Sequence, residues 1–149
     1  MDILIEKPVE KDFDSWAELY RQYADFYSMS LQDHTLKNVW SWIHDENQEF
    51  YCLIARDQGK IVGLAHFRSM LSPLRGAKVG FLDDLFVAPD HRGKGIVDSL
   101  FEGLQQRAKA EAWPFVRWIT ADDNYRAQGF YKKVSDQTKW VTYQMNTGM

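Results

Sequence analysis

Cysteine is nearly absent from this sequence, since Cys52 is the single one among 149 residues. One cysteine excludes an internal disulfide framework and a cysteine-based zinc cluster, and it favours a reducing, cytoplasmic location. Long hydrophobic runs are also missing, because no apolar stretch approaches the roughly 18 residues that a membrane helix needs. The acidic N-terminal stretch lacks the apolar core of a secretory signal. We therefore expect a cytoplasmic protein with no membrane association.

A surplus of positive charge is missing as well. The chain carries 18 Lys and Arg against 21 Asp and Glu, a formal net charge of −3, so we expect no nucleic-acid partner. The charge is uneven, because positions 1–50 hold 11 acidic and 4 basic residues while the remainder has a basic excess. Two interpretations are open: a solvated helical surface, or an acidic rim that attracts a cationic ligand while the basic half holds an anionic one.

Metal-binding patterns are equally scarce. No His-x-x-x-His or cysteine pair occurs, and Asp122-Asp123 alone is a poor site, so we expect no metal. The length and the 45% hydrophobic content are those of one domain with its own core. Since neither a repeat nor a linker interrupts the chain, we predict a single domain over residues 1–149.

Hydrophobic periodicity predicts the order of the elements. The predicted elements are a strand at 3–6, helices at about 12–27 and 34–44, strands at 50–56, 61–68 and 78–87, and a helix from 96. Asp12 or Asp14 is the expected cap of the first helix. A loop over 69–77 is expected before the long strand, which stops ahead of Pro89.

The long strand passes through a basic, glycine-containing turn directly into a helix. The first amides of a helix have no internal partners, and the helix dipole adds partial positive charge there. Gly93 and Gly95 leave room for close approach, and Arg92 and Lys94 add charge. These features favour a cradle for phosphate or pyrophosphate. A tight connection without a ligand is the alternative. The P-loop motif and the third glycine of the dinucleotide fingerprint are both missing, which disfavours those two kinds of nucleotide site.

This turn carries a resemblance to a known family. The stretch PDHRGKGIV resembles the acetyl-CoA signature of the GNAT acetyltransferase superfamily, Gln/Arg-x-x-Gly-x-Gly/Ala. Arg92 fills the first position and Gly95 the fourth, whereas Val97 departs from the small residue expected last. The preceding FLDDLFV is similar to the branch that contains polyamine and histone-type N-acetyltransferases.

A second motif follows in the expected order. The stretch NYRAQGFYKKV resembles the family block Asn-x-x-Ala-x-x-Leu/Phe-Tyr-x-x-x-Gly, with Asn124, Ala127, Phe130 and Tyr131 in place. Ser135 stands where the family has glycine. Two motifs in the right order and spacing indicate the family more strongly than either alone.

The resemblance implies an α+β fold and acetyl-CoA as the cosubstrate. The implied sheet is mixed and mostly antiparallel, flanked by helices, and it splays so that strands 78–87 and 115–120 border a cleft. The cofactor-binding residues that the resemblance implies are Leu85, Phe86, Val87, Arg92, Gly93, Lys94, Gly95, Ile96, Val97, Asn124 and Tyr131. An N-cap is the alternative role for Asn124, and both roles are compatible.

The chemistry of acetyl transfer suggests the reacting groups. The departing thiolate benefits from a proton, and a tyrosine with an unperturbed pKa of about 10 can donate one. The family places its general acid at Tyr131, although a packed aromatic beside Phe130 is the alternative. Asp83 and Asp84 lie within an apolar strand, where buried charge is costly, and alternation sends them to opposite faces. The resemblance makes Asp83 the candidate general base, and Asp84 is then a substrate-binding or structural carboxylate. A pair of carboxylates at a strand bulge or a sheet edge is the alternative.

The resulting prediction is an acetyl-CoA-dependent N-acetyltransferase that acts on a primary amine. A small cationic amine such as a polyamine is the expected acceptor, attacked directly in a ternary complex without an acyl-enzyme on Cys52. A protein Lys or N-terminal acetyltransferase and a non-catalytic acyl-CoA-binding module are alternatives. Because relatives are often dimers, a homodimer is a further expectation.

Overall fold

A five-stranded sheet forms the centre of the computed structural model, which describes residues 2–149. The strands are β1 (Ile3–Glu6), β2 (Phe50–Asp57), β3 (Lys60–Ser72), β4 (Ala77–Val87) and β5 (Val116–Arg117), in this spatial order. β1 to β4 pair antiparallel, and β5 runs parallel to β4. The predicted mixed, mostly antiparallel sheet is confirmed.

Helices cover both faces of this sheet. The helices are α1 (Phe13–Phe26), α2 (Asp33–His44), α3 (Ile96–Ala110) and α4 (Tyr125–Val134). On one face, Trp16 of α1 and Leu36 of α2 are buried against apolar residues of β2 and β3. On the other face, Leu100 and Leu104 of α3 are buried against a second apolar cluster. The apolar stripes that the sequence shows therefore become the two core layers.

The sequence predicts Asp12 as one of two possible caps of α1, but its side chain makes no capping hydrogen bond to this helix. The Asp12 carboxylate accepts a hydrogen bond from the Val9 amide at 2.9 Å and pairs with Arg56 of β2 at 3.0 Å. Arg56 also pairs with Glu6 of β1 at 2.8 Å. The Asp12 carboxylate thus links the start of α1 to β2 through Arg56 and does not cap the helix.

The strands β3 and β4 form a longer hairpin than the sequence predicts. Ser69–Ser72 pair with Ala77–Gly80, so the expected loop over 69–77 shrinks to residues 73–76. Cross-strand pairing overrides the weak strand propensity of this polar stretch. β5 is shorter than predicted, because only two residues of the range 115–120 pair with β4.

Gly63 of β3 lets α3 approach the sheet closely. A Cβ at this position would lie 3.2 Å from Ile96 and 3.3 Å from Leu100, so a larger residue would push the start of α3 outward. Gly63 pairs with Val87, the last residue of β4. The contact therefore holds the N-terminus of α3 beside the end of β4, where the glycine turn lies.

The chain divides into two compact units. The first ends at Trp118 and contains the sheet with α1, α2 and α3, and the second comprises Ile119–Met149 with α4. The single domain expected from the sequence stays a prediction. Among residues 2–149, no helix combines the length and the apolar character that crossing a membrane requires.

Candidate active site

The sheet opens along one edge of β4. Gly80 and Phe81 pair with β5, but within residues 2–149 the ladder on this edge stops before Leu82. The other edge of β4 stays paired with β3 through to Val87. An open edge presents backbone N–H and C=O groups that can pair with an extended ligand. The predicted pantetheine-binding residues, Leu85 to Val87, lie on this stretch, and the splay expected from the sequence is present.

The turn after β4 has the open geometry that an anion requires. Gly93 and Gly95 both have a φ of +79°, a left-handed conformation that side-chain-bearing residues avoid. A Cβ at either position would meet no atom within 4 Å, so the backbone angle demands glycine and the space before the turn is open. Gly95 is the N-cap of α3, whose first amides lack intrahelical acceptors. The turn therefore fits the pyrophosphate of acetyl-CoA.

The neighbouring side chains support this turn in different ways. Arg92 donates from Nε to the carbonyl of Val87 at 3.2 Å, and its guanidinium lies over the rings of Phe86 and Phe26. Arg92 thus braces the turn against the end of β4, whereas Lys94 is exposed. Ile96 is buried and Val97 packs against the core beneath α3. The β-branched side chain of Val97 is therefore accommodated by the core.

A β-bulge brings the two acidic residues of β4 to one face of the sheet. The pairing register shifts between His66 and Phe67, which leaves Asp83 as an extra residue. Asp84 lies 2.9 Å from Nδ1 of His66, and Asp83 lies 3.1 Å from Nε of Arg68. His66 and Arg68 are two residues apart in one strand and share a face. The prediction that alternation separates the two carboxylates is wrong, because the bulge interrupts the alternation.

Asp84 is the centre of a hydrogen-bonded cluster. The hydroxyl of Tyr20 donates to Oδ2 at 2.8 Å, and Nδ1 of His66 lies 2.9 Å from the same oxygen. Burial raises the pKa of Asp84, but the hydrogen bonds from His66 and Tyr20 outweigh it and hold the pKa below its ordinary 3.8. Asp84 is thus a mostly buried carboxylate that stays ionised.

His66 receives a second hydrogen bond that fixes its tautomer. The indole Nε1 of Trp16 lies 3.0 Å from Nε2 of His66, and the histidine side chain is 0% exposed. An indole N–H can only donate, so Nε2 accepts and Nδ1 carries the hydrogen directed at Asp84. No sequence signal predicts this series of hydrogen bonds from Trp16 through His66 to Asp84. Trp16 and Tyr20 look like core residues in a helical stripe, and no local signal assigns a face to His66.

Asp83 differs electrostatically from its neighbour. Burial raises its pKa, Arg68 lowers it and the charge of Asp84 raises it, with a net pKa above the ordinary 3.8. Arg68 also lies over the ring of Phe81. A carboxylate with a raised pKa accepts a proton more readily. This is compatible with the general base predicted for Asp83, which stays a prediction.

Cys52 has no features of a nucleophile. It is buried, and burial raises the pKa of its thiol. His66 lies opposite Cys52 across β2 and β3, but its Nε2 is already occupied by Trp16. The thiolate needed for attack is disfavoured at such a site, which agrees with the predicted absence of an acyl-enzyme.

The second unit holds the other predicted site residues. Asn124 accepts a hydrogen bond from the Ala127 amide at 3.3 Å, so it caps α4, as one of the two sequence interpretations had it. Ser135 donates from its amide and its hydroxyl to the carbonyl of Tyr131. With a φ of −157°, Ser135 is extended and needs no glycine. Tyr131 is half-buried beside Phe130, and its role as general acid stays a prediction.

Within the described part of the chain, no group of three or more His, Cys, Asp or Glu is arranged to hold a metal ion.

Known proteins resemble this chain over most of its length. The profile of the Acetyltransferase (GNAT) family matches residues 16–135. D-amino-acid N-acetyltransferase HPA3 of Saccharomyces cerevisiae is 29% identical, over 97% of this chain and 92% of that protein. Thialysine N-epsilon-acetyltransferase of Bos taurus is 25% identical, over 91% of this chain and 84% of that protein. The structure of aminoglycoside N-acetyltransferase AAC(6')-Iy in complex with CoA superposes with a TM-score of 0.84 at 18% identity, over 98% of this chain and 95% of that one.

Proposed function

Because the chain belongs to the GNAT acetyltransferase family and is an acetyl-CoA-dependent N-acetyltransferase, we propose that its acceptor is a small cationic primary amine, such as a polyamine. The ionised, mostly buried Asp84 at the opened part of β4 carries this proposal. A carboxylate shielded from water attracts a cation more strongly than an exposed one. Tyr20 and Tyr23 stack on each other beside it, and aromatic rings next to a carboxylate favour an ammonium group.

Different residues of the chain then carry out the separate proton transfers of the reaction. Bound acetyl-CoA supplies the acetyl group as a thioester. The amine nitrogen forms a bond to the thioester carbon as the carbon–sulfur bond breaks, Asp83 takes the proton that the amine loses, and Tyr131 gives a proton to the departing thiolate. The raised pKa of Asp83 supports its part as the base. The burial of Cys52 supports direct attack.

The binding of acetyl-CoA is assigned to two elements of the first unit and to Asn124. Leu85 to Val87 offer the open strand edge for the pantetheine arm. The positive-φ glycines and the start of α3 offer amides for the pyrophosphate. Asn124 is proposed to combine its capping of α4 with a contact to the cofactor.

An acceptor panel tests the proposal. Purified protein is mixed with acetyl-CoA and one amine at a time, and the release of free thiol is followed. A diamine and an amino alcohol of equal length differ in the second positive charge, and we expect a kcat/KM at least tenfold higher for the diamine, as one favourable charge contact of about 1.4 kcal/mol predicts. Equal kcat/KM values for this pair would remove the preference for a cationic acceptor.

Amino acids and peptides complete the panel. Two relatives are acetyltransferases of D-amino acids and of thialysine, which carry an ammonium group beside a carboxylate. A D-amino acid, thialysine and a Lys-containing peptide are therefore included. A higher kcat/KM for one of these than for the diamine would replace the polyamine with that class.

We further propose a cytoplasmic homodimer. The single cysteine supports the reducing location. Trp140, Val141, Tyr143 and Met145 of the C-terminal segment are each at least 72% exposed, and such apolar clusters often mark an interface. Light scattering should give twice 17.5 kDa, and a monomer mass would contradict the proposal.

A further inference from the structure

His66 is a fully buried polar side chain whose two nitrogens both have partners. Trp16 donates to Nε2, and Nδ1 faces Asp84 at 2.9 Å. A buried imidazole is costly unless both nitrogens are satisfied, so the arrangement needs all three side chains. A leucine or phenylalanine would fill the same space without a partner, so packing alone gives no reason for a histidine here.

The hydrogen bonds from Trp16 through His66 to Asp84 are all donated in the same direction. The indole N–H can act only as a donor, so it selects the imidazole tautomer with hydrogen on Nδ1. That hydrogen points at Oδ2 of Asp84, which also accepts from Tyr20. Two donors from different elements therefore fix the carboxylate between β3 and α1. An oriented, ionised carboxylate binds a cation with a smaller loss of side-chain entropy.

We propose that His66, held in its Nδ1–H tautomer by Trp16, is a positioning residue that orients Asp84 and keeps it ionised to receive the ammonium group of the acceptor. The identity of the acceptor rests on the function proposed above, whereas the hydrogen-bonded chain itself does not depend on it.

The groups that face Asp84 determine what a pH profile reports. Tyr20 of α1 donates to it and Tyr23 stacks on Tyr20. Both phenols have pKa values above their ordinary 10 because of burial and the charge of Asp84. Cys52 of β2 has a raised thiol pKa as well. The remaining neighbours are His66 of β3, which is neutral in its Nδ1–H tautomer, and the charged Arg68 of β3 and Asp83 of β4. None of the phenols or the thiol titrates on the acid side, so an acid limb there is assigned to the carboxylates.

Substitution of His66 tests the proposal directly. In His66→Leu the carboxylate of Asp84 keeps its burial and loses one donor, so its pKa rises and the acid limb of acceptor binding, measured as 1/KM against pH, moves upward by about one pH unit. The acid limb of kcat, which the proposed base Asp83 governs, stays in place. KM for the acceptor rises about tenfold, as expected for one lost hydrogen bond to a charge, while kcat changes less. In His66→Asn the shorter side chain keeps an N–H near the position of Nδ1, so both values return toward wild type.

A matched control separates positioning from packing. Phe67 follows His66 in β3, is equally buried and faces the opposite core. Phe67→Leu should lower the melting temperature and leave the acid limb and the acceptor KM unchanged. If folded His66→Leu behaves like Phe67→Leu in these two values, the positioning role is wrong.

The tautomer is measured without turnover. Nitrogen-15 NMR of the labelled imidazole should show a protonated Nδ1 and an unprotonated Nε2 in the wild type, and a mixture of tautomers in Trp16→Phe. A wild-type histidine protonated at Nε2 would overturn the proposal whatever the acceptor is. A further outcome is that the diamine is not an acceptor, while the wild type shows the Nδ1–H tautomer and His66→Leu shows the shifted acid limb with another amine. In that case the proposed acceptor is wrong and the positioning role of His66 stands.

Discussion

At the scale of single residues, two adjacent aspartates acquire opposite properties from their surroundings. Asp84 receives hydrogen bonds from His66 and Tyr20, and its pKa falls below the ordinary 3.8. Asp83 has Arg68 as its ion-pair partner, and burial raises its pKa. When neighbouring carboxylates have pKa values pushed apart, one suits charge stabilisation and the other suits proton transfer. The two proposed roles, a binding carboxylate and a general base, thus fall on consecutive positions.

The first residue-scale prediction concerns the proton donor. Tyr131→Phe keeps the ring and removes the hydroxyl, so kcat should fall by about 10²–10⁴-fold if Tyr131 protonates the thiolate, with little change in acetyl-CoA affinity. Tyr125 lies on the same helix and is exposed, so Tyr125→Phe is a matched control that should keep wild-type kcat. Steady-state kinetics and calorimetry measure both quantities. A wild-type kcat in Tyr131→Phe would return this residue to a packing role.

At the scale of the elements, local signals predicted the turn before α3, whereas the bulge in β4 was only one of the alternatives for the two aspartates. The turn is encoded by consecutive residues, since Gly93, Gly95 and the helical spacing that follows all lie in one stretch. The bulge depends on how β3 and β4 pair, and nothing within FLDDLFV identifies Asp83 as the extra residue. The hydrogen-bonded chain depends on three elements at once, because Trp16, His66 and Asp84 are distant in sequence.

The prediction at the element scale concerns the turn before α3 and compares the acetyl-CoA affinities of two variants of nearly equal shape. Asp and Asn have nearly the same shape, and both tolerate a positive φ better than most residues, so Gly95→Asp and Gly95→Asn impose similar strain. The aspartate adds a negative charge where the pyrophosphate is proposed to bind. Like charges a few ångströms apart repel by about 1–4 kcal/mol, depending on solvent exposure, so acetyl-CoA affinity should be at least tenfold weaker in the Asp variant. Equal affinities by calorimetry, in folded variants, would exclude a pyrophosphate at this turn.

At the scale of the whole molecule, the acidic residues of positions 1–50 are exposed to solvent or engaged in ion pairs. Asp14, Glu18 and Asp25 of α1 are exposed, whereas Tyr20 and Tyr23 of the same helix are partly buried beside the carboxylate. Other acidic residues form ion pairs, such as Glu49 with Lys78 and Asp33 with Arg21. The solvated-surface interpretation therefore holds for α1, and the negative charge available to an acceptor is that of Asp83 and Asp84.

This charge distribution predicts how salt affects the acceptor. The Debye length shortens from about 10 Å at 0.1 M to about 3 Å at 1 M, so the long-range attraction of a dication is screened while its contact with Asp84 is screened much less. At saturating acetyl-CoA, kcat/KM for the diamine should fall a few-fold over this range, and more than for the amino alcohol. Parallel salt curves for the two amines would contradict the attraction by Asp83 and Asp84. They would leave the acetyltransferase assignment intact, because that assignment rests on the family and not on the acceptor.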